Sequence, residues 1–288
     1  MKMRLYSVGT VRTLQLTSGL VIAMALLGFL GFGQAAKAQI GFSLGDAANF
    51  AIMDEGDGTN TINITGDTIN GNIGIGDPSG TTTSKLVLSG DTITGNIEFA
   101  GAINDTGTSG DTIKGTISGG DTQVQTDLNY LNSLSATLGA ETGTALTIKS
   151  GSTITINASS GHLDASGNYV FNVTAFSGSG STITINGNTL GHNVVINFTN
   201  AGINPDFSAT TIKLTGGLTA NNVLFNVASG DTLTLGGDTI TGTFLDPKGA
   251  VTGTGDTLNG HVYGGGGNAN STYSGDTVKN VPVISPAG

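Results

Sequence analysis

The sequence has no cysteine, so no disulfide can stabilise the fold. Arginine is almost absent, and both arginines lie within the first 38 residues. From residue 39 onward the chain carries six lysines against twenty acidic residues, a formal charge of −14. Nucleic acids and anionic membranes attract clustered cations, so this composition argues against both as partners. Stability has to come from an apolar core and backbone hydrogen bonds, and the acidity keeps such a protein soluble.

Residues 1–38 have the pattern of a secretory signal peptide. Three basic residues precede an apolar run from Leu20 to Phe32, and Ala36-Lys37-Ala38 matches a small-x-small cleavage site. The alternative is a transmembrane anchor, but the run is shorter than the ~20 residues that span a bilayer. No second long apolar run follows. We therefore expect cleavage, a secreted or cell-surface protein and no membrane span in the remainder.

One octet recurs five times: Gly-Asp-Thr-(Ile/Leu)-x-Gly-(Asn/Thr/His)-(Ile/Val/Phe). Its copies begin at Gly66, Gly90, Gly110, Gly237 and Gly255, and neighbouring copies are 24, 20 and 18 residues apart. These spacings fit a three-sided parallel β-helix, in which one coil of three short strands takes about 18–24 residues. Glycine and aspartate suit the corners, because glycine accepts positive φ and aspartate hydrogen-bonds to nearby backbone. The sequence thus predicts an all-β solenoid whose coils bury apolar residues against their neighbours.

Gly-Asp-Thr occurs eight times in all, and calcium binding is the alternative role for its aspartates. One carboxylate per coil supplies too few oxygens for a shell of about 6–8 ligands. The glycine-rich nonapeptide of calcium-binding β-rolls is also missing. We therefore expect corner chemistry, with no metal and no cofactor.

Residues 122–138 break the β pattern. The apolar residues there recur at helical spacing and are Val124, Leu128, Leu131, Leu134 and Leu138. Thr122 with Gln125 predicts a capping box, and Gly139 suits the C-terminal end. Such a stripe packs against a core more often than it binds haem or a partner. We expect a β-helix domain over 39–280 with this helix docked along it, and a short tail at 281–288.

Strand alternation, applied to the octets, separates inward Ile, Leu, Val and Phe from outward Thr and Asn. The outward set, taken as a candidate binding face, is Thr68, Asn70, Asn72, Thr92, Thr94, Asn96, Thr112, Thr116, Thr239, Thr241, Thr243, Thr257 and Asn259. In register, these side chains form a flat array that could bind a surface or order water. Alternatively, threonine is simply a favourable outward strand residue. Lys114 and His261 interrupt the array and favour this second interpretation.

Catalytic patterns are weak. The three histidines are far apart, and neither a Gly-x-Ser-x-Gly elbow nor a Walker-type loop is present. A β-helix polysaccharide lyase would need clustered acids with Arg or Lys, whereas Asp54-Glu55 with Asp57 is the one acidic cluster. We therefore predict a non-enzymatic binding protein without catalytic residues, and keep a polysaccharide-active enzyme as an alternative.

Several segments resemble the choice-of-anchor A domain and the bacterial ice-binding-like β-solenoids. Leu44–Ile52 (LGDAANFAI) is similar to their opening segment, and Gln123–Leu138 is similar to their helix. Tyr169–Phe176 and Val194–Phe198 follow in the order typical of choice-of-anchor A. The resemblance implies a discontinuous right-handed parallel β-helix with one long α-helix packed alongside. It also implies an exported surface or matrix protein.

Two functions follow from this resemblance. The first is an adhesin-like protein, expected as a monomer, that binds an extracellular surface or polymer. The alternative is an ice-binding protein. The terminal VPVISPAG has no LPxTG motif, apolar span or basic tail, so the resemblance does not extend to a covalent anchor.

Overall fold

Short strands separated by glycine-rich corners make up most of the chain. The computed structural model describes residues 41–281 except 57–59, 79, 81–83, 106, 108–109, 188–190, 238 and 267–269. The predicted signal peptide and nearly all of the predicted C-terminal tail lie outside these residues. Within them, no helix is both long and apolar enough to cross a membrane.

The strands before the long helix are β1 (Phe50–Asp54), β2 (Thr61–Thr65), β3 (Thr68–Asn70), β4 (Asn72–Ile75), β5 (Lys85–Ser89), β6 (Thr92–Ile93), β7 (Ile97–Phe99), β8 (Thr112–Ile113) and β9 (Ile117–Gly119). Those after it are β10 (Thr144–Ile148), β11 (Thr153–Asn157), β12 (His162–Leu163), β13 (Asn168–Phe176), β14 (Thr182–Asn186), β15 (Asn193–Phe198), β16 (Asp206–Ser208), β17 (Thr211–Thr215), β18 (Val223–Val227), β19 (Leu233–Gly236), β20 (Thr239–Leu245), β21 (Val251–Thr254), β22 (Thr257–Gly264), β23 (Ser271–Ser274) and β24 (Thr277–Lys279). The helices are η1 (Gly45–Asn49, 3₁₀), α1 (Thr122–Gly139), η2 (Ala158–Ser160, 3₁₀) and η3 (Ala220–Asn222, 3₁₀).

Parallel pairing stacks these strands into three faces. The helix-side face runs β10-β13-β15-β18-β20-β22-β1-β4-β7-β9. A second face runs β16-β19-β21-β23-β2-β5. The third, here called the octet face, consists of β11-β14-β17 followed by the first halves of β20 and β22 and by β24, β3, β6 and β8. Strand β17 adjoins β20.

The first described strand lies in the middle of the stack rather than at an end. Strand β1 pairs with β4 on one side and with β22 on the other. The coils before α1 therefore stack away from this seam, and the coils after it start at the far end and stack back towards it. This order confirms the predicted discontinuous parallel β-helix.

Helix α1 covers the helix-side face with its apolar stripe, as predicted. Val124, Leu128 and Leu131 are at most 3% exposed and pack with outward residues of that face, including Val195 and Leu224. This second apolar layer explains why the strands beneath it are apolar on both sides.

Both ends of α1 have specific partners. The predicted capping box is wrong, because Asp121 is the N-cap and its carboxylate accepts from the N–H of Gln123 (3.0 Å). At the other end, an asparagine ladder on β15 and β18 serves the last carbonyls. Asn197 donates to the carbonyl oxygen of Leu138 (2.8 Å) and Asn226 to that of Ser135 (3.0 Å). These bonds tie the last turn of α1 to the strands beneath it and give the two buried amides partners.

Candidate surface-binding site

Each octet folds across a corner, which divides the predicted binding residues into two groups. The second glycine of the octet turns the chain from the octet face onto the helix-side face. Nine predicted residues lie on the octet face: Thr68, Asn70, Thr92, Thr94, Thr112, Thr239, Thr241, Thr257 and Asn259. The inward half of the pattern holds, because Ile69, Ile93, Ile240 and Leu258 are at most 1% exposed.

The other four predicted residues lie past the corner, where they bond within the fold. Asn72 accepts from the N–H of Asn96 (2.9 Å), and Asn96 accepts from the N–H of Thr116 (3.1 Å). Thr243 points out of the coil but is buried and donates to the carbonyl oxygen of Ala220 (3.3 Å), so its predicted place on an exposed binding face is wrong. The corner at the second glycine could not be found from the alternation of apolar and polar residues, because that pattern treats the octet as one continuous strand.

His261 also lies past the corner and does not interrupt the octet face. It is fully buried between the carbonyl oxygen of Phe50 and Oδ1 of Asn221, each 2.8 Å from a ring nitrogen. Burial lowers the pKa of His261. Its role is to join β22 to β1 at the seam.

The octet face carries two rows of outward side chains. In stacking order the first row is Thr153, Thr182 and Thr211 on one sheet, followed by Thr239, Thr257, Thr277, Thr68, Thr92 and Thr112 on the adjoining one. The second row is Thr155, Thr184 and Lys213 on the first of these sheets, followed by Thr241, Asn259, Lys279, Asn70, Thr94 and Lys114 on the other. The prediction recognised Lys114 as an interruption but missed Lys213 and Lys279.

The face formed by β16, β19, β21, β23, β2 and β5 was missed as a candidate site. Its first outward row is Asp206, Thr234, Thr252, Thr272, Asn63 and Val87. Its second row is Ser208, Gly236, Thr254, Ser274, Thr65 and Ser89. We call these twelve positions the neutral face, because Asp206 at one edge is the one charged residue among them. The exposed Lys85 is also outward on the edge strand β5, beside Thr61 and one pair beyond these rows. An alternating strand before Gly-Asp-Thr, as in Thr61–Thr65, was the available signal.

Parallel pairing places neighbouring strands of both faces ~4.8 Å apart, and outward side chains two residues apart along a strand lie about 6.6 Å apart. The register shifts in the stack fall between Phe50 and Ile52 and between Leu146 and Thr147, both on the helix-side face. The registers of the neutral face proceed one residue at a time across all six strands. Its outward rows are therefore straight.

A ladder of aspartates forms the corner between the neutral face and the octet face. The N–H of Asp67 donates to Asp91 (2.8 Å), that of Asp91 to Asp111 (2.7 Å) and that of Asp256 to Asp276 (2.7 Å), while Asp276 donates to Asp67. Burial, opposed by these bonds, raises the pKa of Asp67 to about 7. This ladder is the corner chemistry predicted for Gly-Asp-Thr.

Two other buried carboxylates, Asp54 and Asp246, belong to corners near the seam. Burial raises the pKa of Asp54 to about 7 and that of Asp246 to about 8. Both residues are 0% exposed and accept from nearby backbone N–H groups of Gly56 and Gly249. A substrate could not reach them in this arrangement. Among the residues that the structure describes, no group of three or more His, Cys, Asp or Glu side chains could hold a metal ion.

Comparison with known proteins agrees with this architecture. None of the curated protein sequences compared matches the chain significantly. An ice-binding protein from an Arctic yeast is similar in structure, with a TM-score of 0.53 and 17% identity over 88% of this chain and 99% of that one. Another, from an Antarctic biological consortium, has a TM-score of 0.52 and 18% identity over 85% of this chain and 93% of that one. At these identities the likeness shows the fold alone.

A family model provides the assignment. The model described as "Putative Ice-binding-like adhesive domain" matches residues 41–274, which is most of the chain and nearly all of the described solenoid. The predicted resemblance to the ice-binding-like β-solenoids is thereby confirmed. The chain belongs to the ice-binding-like adhesive domain family.

Proposed function

We propose that this chain is an exported, non-enzymatic surface-binding protein and that its neutral face binds ice. The observation that carries the proposal is the set of uncharged outward positions on β19, β21, β23 and β2. They hold five threonines, one serine, one asparagine and one glycine, in straight rows. The ice-binding names of the two similar structures support the same function.

A surface that orders water works through many small, aligned contacts. It has to be flat and rigid, and it has to be poor in charge, because charged side chains hold their own hydration shells. On the neutral face, inward partners such as Ile62, Leu235 and Tyr273 are at most 3% exposed and fix the strands from beneath. The predicted octet face meets the requirement for order but fails that for charge, because three lysines project from it.

Adhesion to an extracellular surface or polymer is the second candidate function. The adhesive description of the family and the exposed lysines of the octet face favour it. Both functions need no catalytic group, and we assign none.

Thermal hysteresis and inhibition of ice recrystallisation test the ice proposal. Thr252 lies between Thr234 and Thr272 in the middle of the neutral face. Thr252→Tyr should abolish hysteresis because its ring breaks the flat row, while the free energy of unfolding changes by less than about 0.5 kcal/mol. Thr241→Tyr is the matched control on the octet face and should retain hysteresis.

Two results would contradict this proposal. Wild-type protein without hysteresis or recrystallisation inhibition would exclude ice as the ligand and leave adhesion. Loss of hysteresis in Thr241→Tyr but not in Thr252→Tyr would show that the octet face, and not the neutral face, binds ice.

A further inference from the structure

The six lysines beyond residue 38 are unevenly distributed. Three of them are outward on the octet face: Lys279 and Lys114 share one row, and Lys213 lies on the adjoining strand β17. All three are exposed. Lys85, Lys149 and Lys248 lie elsewhere, on β5, after β10 and after β20. Half of the lysines beyond residue 38 are thus on one face.

In strand order these lysines are evenly spaced. Lys279 pairs with Asn70, the next strand presents Thr94, and the third presents Lys114. From Lys279 to Lys114 the interval is three paired strand steps, or about 14 Å. Lys213 is three strands away on the other side of Lys279, past β22 and β20, on β17, which adjoins β20.

The surroundings of the lysines are polar and uncharged. Thr241 and Asn259 separate the first pair, and Asn70 and Thr94 separate the second. Neither row of the octet face contains an acidic residue. The neighbouring corner aspartates, such as Asp67 and Asp91, are at most 2% exposed and accept backbone N–H bonds. The lysines therefore form a sparse positive group on a hydroxyl-rich strip.

We propose that the octet face binds a linear anionic polysaccharide laid along the solenoid axis. A linear polysaccharide with a carboxylate or sulfate on each sugar carries anionic groups along its whole length, so one of them can lie within reach of each lysine. The sugars between them face threonine hydroxyls and asparagine amides, which both donate and accept hydrogen bonds. This site is separate from the neutral face and does not depend on ice binding.

Charge density distinguishes this partner from a nucleic acid. Duplex DNA carries one negative charge per ~1.7 Å of axis, far denser than one lysine per ~14 Å. Non-specific binding of single strands uses aromatic side chains as stacking platforms, and neither outward row of the octet face has one. A sparsely charged polymer also meets less repulsion from the acidic remainder of the protein.

Binding of the purified protein to alginate, a polyuronate, tests the proposal. Lys114→Gln, Lys213→Gln and Lys279→Gln combined should weaken binding about tenfold, the effect of three modest exposed ion pairs together. The matched control combines Lys85→Gln, Lys149→Gln and Lys248→Gln, which changes the net charge equally but should retain affinity. Raising sodium chloride from about 50 mM to about 500 mM should weaken wild-type binding, because salt screens exposed charges.

Several outcomes would overturn the proposal. The first is an equal loss of alginate affinity in the two triple variants. The others are equal binding to the uncharged polymer dextran, or stronger binding to single-stranded DNA than to alginate. Melting temperatures of both variants check that the fold is intact. Thermal hysteresis, measured on the same samples, should be retained in both, so failure of this proposal is distinguishable from failure of ice binding.

Discussion

The neutral face and the octet face are built on the same parallel ladder, yet they present different chemistry. One of the twelve positions of the neutral face is charged, at its edge, and Lys85 lies beside it on the other edge strand, whereas the octet face carries three lysines among eighteen positions. Inward positions on both faces are Ile, Leu, Val, Phe or Tyr, with an occasional small residue. Packing therefore constrains the inward positions equally and leaves the outward ones free. The difference between the faces is a difference in what each can bind.

Disrupting the packing of α1 on the solenoid that carries both faces should have the largest effect on stability. Leu131 is 1% exposed between α1 and the helix-side face. Leu131→Asp buries an unpaired charge in this layer and should cost about 4 kcal/mol or more of unfolding free energy. Ice binding and polysaccharide binding should then disappear together. Urea denaturation measures the loss, and Thr126→Asp, on the exposed side of α1, should stay within about 0.5 kcal/mol of wild type. A stable Leu131→Asp protein would mean that α1 is dispensable.

Of the two corner glycines in the last octet, Gly260 should tolerate a side chain less well than Gly255. Gly260 has φ +147°, and a Cβ there would overlap the carbonyl oxygen of Gly242 in the adjacent coil. Gly260→Ala should therefore destabilise the protein by about 2–3 kcal/mol. Gly255 begins the same octet with φ +69° and open space around it, so Gly255→Ala should cost only about 1 kcal/mol. Thermal melts of the two variants compare these costs, and equal losses would exclude the steric explanation.

The sequence alone was sufficient for the solenoid, because its signals are local and repeated. Each Gly-Asp-Thr marks a corner, and the inward residues of the octets alternate as in strands. The stripe that includes Leu128 and Leu131 could be assigned to a docked helix for the same reason. Capping was less certain, because Asp121 and Thr122 are both favourable N-cap residues and only the backbone geometry distinguishes them.

The binding faces could be predicted only in part, because the order in which the coils stack does not follow the order of the residues along the chain. Thr277 and Thr68 are adjacent in the octet face although they are far apart in sequence. The seam that brings them together depends on β1 entering the middle of the stack. Likewise, Thr243 has the same sequence setting as Thr241, and only the corner between them buries it.

Raising the pH should weaken the corner that separates the two faces. The folded-state pKa of Asp67 is raised to about 7 by burial, above its ordinary value of 3.8. The folded state therefore holds this proton more tightly than the unfolded state does, which stabilises the fold at low pH and is lost as the pH rises through about 7. Asp54 has a pKa of about 7 and Asp246 one of about 8, and both act in the same direction.

Urea denaturation between about pH 5 and pH 9 should therefore show stability decreasing with pH. Asp67→Asn removes one titrating group and should flatten this decrease by about 1 kcal/mol, because Asp67 shares the ladder with other aspartates. Stability that increased over this range would show that the carboxylates are ionised and stabilised in the folded state.

Exchanging single side chains between the faces should change stability least and function most clearly. Thr272 on the neutral face and Lys279 on the octet face are both outward, strand-borne residues close to the seam. Thr272→Lys and Lys279→Thr should each alter the unfolding free energy by less than about 0.5 kcal/mol, since neither touches the core. Thr272→Lys should sharply reduce thermal hysteresis, because an ammonium group holds its own water in the middle of the flat rows. Lys279→Thr should leave hysteresis unchanged and weaken alginate binding about twofold, as expected for one exposed ion pair of three.

If Thr272→Lys keeps full hysteresis while Lys279→Thr increases it, the charge on the octet face, and not the neutrality of the other face, limits ice binding. The roles assigned here to the two faces would then be reversed.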